Sequence, residues 1–289
     1  MRFRIVTGKE LVSPAVWLGI LTLGAAVLGG CSRGGSGSGS GSGSSGGSGS
    51  TGGTAVNVTG NWQIQLTPTN SPAPISSMAG YLHQQGQGTS QFLTAALQAQ
   101  TSGCFADAST VPMYGGTSGS YVNLTSFAVD NQTLSINVQA NSGGNQFTGV
   151  YSIAGGCADG AKGTATGTEY APLTGTYTGS VMGSSPAVQL SLSLSQTAEG
   201  TGIGDFPVSG SATFSGISCF SQGTLDSQSG SVIGNTVSML FNTNDSAGAQ
   251  LQMAGTMDSA ANTLTISSIE MTGGSCSGSL GSATLVRQP

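Results

Sequence analysis

"AVQLSLSLSQ", residues 187–196, is the stretch on which the fold turns. Val188, Leu190, Leu192 and Leu194 alternate with Gln189, Ser191, Ser193 and Ser195. Successive side chains of a strand point to opposite faces, so this pattern predicts a strand with one face in a core and the other in water. Downstream, "NTVSMLF" (235–241) places Val237, Met239 and Phe241 on one face. "AQLQMAGTM" (249–257) offers Leu251, Met253 and Met257, "NTLTISS" (262–268) offers Leu264 and Ile266, and "SATLVR" (282–287) ends the run. Gly234-Asn235 and Asp258–Asn262 separate them, where hairpins need flexible or positive-φ residues.

Outward from this stretch, the chain repeats itself. "TGNWQIQL" at 59–66 matches "TGTYTGSV" at 174–181, "SGCF" at 102–105 matches "ISCF" at 217–220, and "AGGCADG" at 154–160 matches "TGGSCSG" at 272–278. The order is kept, which predicts a duplication over 55–172 and 173–289, each copy long enough for its own core. The second copy then guides the first. "FLTAALQAQ" (92–100) looks helical by propensity, yet it aligns with "FPVSGSATF" (206–214), which contains Pro207 and alternates. A strand is therefore expected at 92–100, with tertiary context overriding propensity. "ISSMAGYLHQ" (75–84) aligns with 187–196 and puts Met78, Gly80 and Leu82 inward.

Four of the five cysteines fall within the copies. Of their three connectivities, only Cys104–Cys157 with Cys219–Cys276 leaves each copy self-contained. The long spacing and near-absence of histidine argue against a metal site. Seven or eight antiparallel strands per copy predict an all-β protein of two tandem up-and-down barrels, with a β-sandwich as the alternative; closure removes edge strands that a chain poor in charge could not protect. The Gly60/Trp62 and Gly175/Tyr177 openings resemble the first strand of lipocalin-like and avidin-like barrels. In a barrel with a hollow interior, Trp62, Met78, Met239 and Met253 are the candidate ligand-lining residues.

The fifth cysteine stands apart. Arg2, Arg4 and Lys9 precede a mostly apolar run that reaches Leu28-Gly29-Gly30-Cys31. This is the pattern of a secretory signal over residues 1–30, and its end resembles the lipobox of bacterial lipoproteins. The resemblance implies cleavage before Cys31 and acylation of Cys31. With Ser32 following, it implies lipid anchoring in the outer membrane of the envelope, periplasmic or surface-exposed. An uncleaved transmembrane segment is the alternative, since the run is about long enough to span. Residues 34–54 are only Gly, Ser and Thr. They span roughly 25 Å root-mean-square, and with Cys31 make a flexible linker at 31–54.

Beyond Cys31 the chain has three basic residues, Arg33, Lys162 and Arg287, against ten acids. Without a basic patch, nucleic-acid binding lacks its electrostatic term. His83 is the only histidine and aligns with Ser195 on a polar strand face, so a surface position is expected rather than a triad. Asp130, Asp245 and Asp258 sit where turns need them. Glu169, Glu199 and Glu270 do not cluster in sequence. "FNTNDSAG" (241–248) has calcium-loop-like oxygens but lacks the terminal Glu, and a polar hairpin loop is expected. No cofactor or metal is expected, and no catalytic residues. The chain reads as a non-enzymatic, lipid-anchored envelope protein that binds a partner or coats. A carrier of a small apolar ligand inside a barrel, or a hydrolase with acids assembled from loops, are the alternatives.

Overall fold

The computed structural model describes residues 54–69, 75–105, 109–184, 187–274 and 276–289. Cys31, the expected signal segment and the expected linker up to residue 53 lie outside the described residues. The first barrel is built from β1 (Gly60–Pro68), β2 (Ile75–Gln85), β3 (Ser90–Ser102), β4 (Thr110–Ser118), β5 (Tyr121–Ser126), β6 (Thr133–Ala140), β7 (Gln146–Ala154) and β8 (Lys162–Tyr170). The second comprises β9 (Gly175–Val181), β10 (Gln189–Gln196), β11 (Phe206–Ser215), β12 (Gln222–Ile233), β13 (Thr236–Thr243), β14 (Gln250–Met257), β15 (Thr263–Thr272) and β16 (Gly278–Arg287). Each strand pairs antiparallel with the next. β1 pairs with β8, and β9 with β16, so both sheets close. The barrel expectation holds over the sandwich.

Residues 187–196 supply β10, with Leu190, Leu192 and Leu194 in the core, and 92–100 lies within β3. There Leu93, Ala95, Leu97 and Ala99 face inward despite their helical propensity, because a helix would strand half of them in water. Removing each large side chain of this kind from water contributes about 1.5–3 kcal/mol. Two features of β12 hide it from the alternation rule: its pairing shifts between Leu225 and Gly230 on one side, and between Pro207 and Gly210 of β11 on the other. Such bulges break the two-residue period.

Both predicted disulfides are formed, with Cα–Cα separations of 5.9 Å for Cys104–Cys157 and 6.1 Å for Cys219–Cys276. The copies also share a tie at the barrel entrance. Gln84 Oε1 accepts the Val58 N–H, and the Gln84 N–H donates to Thr59 Oγ1. In the second copy Gln196 Oε1 accepts the Leu173 N–H, and the Gln196 N–H donates to Thr174 Oγ1. They diverge nearby. Glu169 pairs in register with Trp62, where Arg287 pairs with Tyr177. Gly60 and Gly175 leave room for these two side chains: a Cβ on Gly60 would lie 2.5 Å from Glu169 Oε1, and one on Gly175 2.9 Å from Arg287 Nε.

The barrels pack against each other. The Asn61 amide donates to Gly234 O at 2.8 Å and its Oδ1 accepts the Gly234 N–H at 2.7 Å. Asn61 is buried and fully matched, which a polar side chain needs there. Gly204, at φ 91°, brings its backbone against the Ala96 carbonyl, where any Cβ would collide. The Gln98 side-chain amide donates to Ile203 O at 3.1 Å. The ring of Tyr81 meets Phe206 edge-on at 5.2 Å.

Candidate functional site

The outer face of β2 carries Ser77, Ala79, Tyr81 and His83. In an isolated barrel this face would meet water. Here the β10–β11 loop, residues 197–205, lies over it and covers Tyr81, with Gly200 against the phenol ring. Beside this contact a groove of about 450 Å³ opens between the barrels. Ala96, Pro112 and Phe127 give it an apolar floor, and Tyr81, His83, Thr94 and Glu199 its polar wall. The volume lies within the ordinary range for small-ligand sites.

The polar wall is ordered. The Tyr81 hydroxyl lies 2.6 Å from His83 Nδ1. Burial pushes the Tyr81 phenol above its ordinary pKa, and the charge of Glu199 pushes the same way. The phenol oxygen and Nδ1 share one hydrogen bond, which leaves the Nε2 edge of the imidazole without a partner from Tyr81. Thr94 Oγ1 makes a long bond to His83 O at 3.4 Å. Thr201 is engaged elsewhere: its hydroxyl donates to Asp205 and accepts from the Ile203 N–H. The groups free to address a ligand are therefore the imidazole edge, the Glu199 carboxylate and the Thr94 oxygen.

An aromatic row runs out of the groove along β3 and β4. Phe127 is 59% exposed and packs 5.0 Å from the ring of Tyr114, which is 43% exposed. Tyr114 stands opposite Thr94, and Phe92, 52% exposed, stands opposite Gly116. Large exposed aromatics grouped on one face are the uncommon observation on a surface.

The residues singled out as possible ligand contacts lie elsewhere. Trp62 and Met78 are in the core of the first barrel, Met239 and Met253 face each other in register in that of the second. The Trp62 ring stacks on Phe147 at 4.7 Å, and its indole N–H donates to Val58 O. His83 is on the outer face, as its alignment with Ser195 predicts, but it lines the groove. Asn244 Oδ1 accepts the N–H groups of Ser221 and Gln222 at the start of β12, and Asp245 Oδ1 that of Ala247, so these oxygens of loop 241–248 are engaged by backbone N–H groups. Asp258 Oδ1 likewise accepts from Asn262 and Thr263. Sequence reasoning missed Glu199, Tyr114 and Phe127. The available signal was Tyr81, a bulky aromatic at a strand position whose neighbours Ala79 and His83 belong to the outer face.

No family model, no curated protein and no solved structure matches this chain.

Proposed function

We propose that the chain is a lipid-anchored protein of the bacterial cell envelope, held in the outer membrane through Cys31, that acts without catalysis by binding a ligand in the groove between its barrels. The anchor rests on the Leu28–Cys31 motif and the Gly/Ser linker behind it, both read from sequence. The observation that carries the binding role is the groove itself. Both barrels build it, it joins an apolar floor to a carboxylate and an imidazole, and an exposed aromatic row leads into it. A duplicated body held rigid by Asn61 and Gly234 gives such a groove a fixed shape, which reduces the ordering cost of binding.

Two measurements in cells test this. Labelled palmitate should enter the wild-type chain and not Cys31→Ala, and the label should sediment with the outer membrane. A photoreactive amino acid at position 127 should give an envelope adduct on irradiation, and the same probe at Val150, exposed on β7 across the barrel, should not. No adduct at 127, or equal adducts at both positions, would remove the groove as the binding surface.

A further inference from the structure

We infer that the groove and its aromatic row form a recognition site for neutral saccharides, a ligand class that rests on the binding role proposed above. Charge eliminates one set of ligands. Among the described residues the groove is lined by no lysine or arginine, and its formal charge is that of Glu199. Phosphates, acidic polysaccharides and nucleic acids would meet a negative wall with no counter-charge. Shape eliminates another. The floor is a few side chains wide and open to solvent, so an acyl chain laid there would keep much of its surface in water.

A neutral ligand that fits has one apolar face and polar edges that both donate and accept. A pyranose ring has this form. Its axial C–H bonds carry partial positive charge and suit the negative face of an aromatic ring. Its hydroxyls suit a carboxylate, which accepts from two neighbouring hydroxyls, and an imidazole Nε2 edge, with which a third hydroxyl pairs as donor or as acceptor. Glu199 and His83 supply that pair beside the exposed rings of Phe127 and Tyr114. Gly116 leaves the outer face of β4 without a side chain opposite Phe92, next to Tyr114, so the row can underlie more than one sugar residue. The site thus fits an oligosaccharide better than a single ring.

The test uses the mature chain from residue 31, carrying Cys31→Ala and purified from an oxidising periplasm. It is applied to an array of neutral hexose and N-acetylhexosamine oligosaccharides, with sulfated and sialylated glycans alongside, and titrated separately with choline. Retention of neutral glycans is expected. Phe127→Ala and Glu199→Gln should each weaken it at least tenfold, and Val150→Ala should leave it unchanged. All three positions are exposed, so these variants should fold, which unchanged thermal transitions would establish. Retention of anionic glycans alone, choline shifting the groove resonances in place of sugars, no glycan bound, or equal binding by Phe127→Ala would each overturn the saccharide assignment. An adduct at position 127 in cells together with any of these outcomes would leave the binding role standing and remove only the ligand class. Absence of both adduct and glycan binding would remove the two together.

Discussion

Tyr151 stands inside the first barrel, 2% exposed, and its hydroxyl has no partner among the described residues. Burial raises its pKa, so it is a neutral phenol with an unmet hydrogen bond. Such a group costs about 1–3 kcal/mol. Tyr151→Phe should therefore stabilise the protein by about 1 kcal/mol in denaturant unfolding, with an unchanged slope. Glu169 has a related cost that depends on pH. Burial raises its carboxyl pKa above the ordinary value. At pH below the ordinary value, Glu169 is protonated in both folded and unfolded chains and costs nothing. As pH rises through the interval up to the raised value, the folded chain holds a proton the unfolded chain has released, and stability falls. Glu169→Gln should leave the melting temperature unchanged near pH 3.5 and raise it by about 1 °C at pH 7, a small figure because the group is partly solvated. Nothing in the sequence foretold either residue. The Tyr151 hydroxyl is orphaned by its particular surroundings, and Glu169 faces inward only because Gly60 vacates the space.

At the scale of the element, the strands themselves were legible. Alternation placed β10, β13 and β14, and the duplication turned 92–100 from an apparent helix into β3. Strand β12 was not legible, because its bulges reset the period, and β4 was obscured by Pro112 and the Gly115-Gly116 pair. The β10–β11 loop was the larger omission. It reads as a polar connection, yet it seals Tyr81 and contributes Glu199 to the groove. Its position depends on Gly204, whose positive φ and contact with the Ala96 carbonyl leave no place for a side chain. Gly204→Ala should lift the loop. The expected result is faster amide exchange at residues 199–205 and on β2, with the exchange of β6 and β13 unchanged. Slow exchange in the loop of that variant would mean that the barrels dock by other contacts.

For the molecule as a whole, the duplication decided most of what could be read. It pointed to two tandem barrels and to both disulfides. It could not give the way one copy rests on the other, since Asn61 and Gly234 lie 173 residues apart and belong to no pattern. Each disulfide closes a loop of more than 50 residues, with sequence separations of 53 and 57. Chain entropy assigns such a closure about 4 kcal/mol. Replacing Cys104 and Cys157 together by alanine should lower the transition of the first barrel by that order and split the calorimetric trace, leaving the second barrel to melt where it did. A single transition shifted as one would show that the two barrels unfold as a unit. The entrance of the first barrel has a mechanical meaning as well. The Ala55 N–H is held by Gly88 O, the Val56 N–H by Gly119 O, and the Val58 N–H by Gln84, ahead of a β1 that is bonded along both flanks. A pull arriving from the N-terminal side is thus met by three separate loops and strands before it reaches the barrel wall. If the chain is anchored through Cys31 and holds a ligand in the groove, as proposed above, drag on that ligand would cross this latch as tension on its way to the anchor.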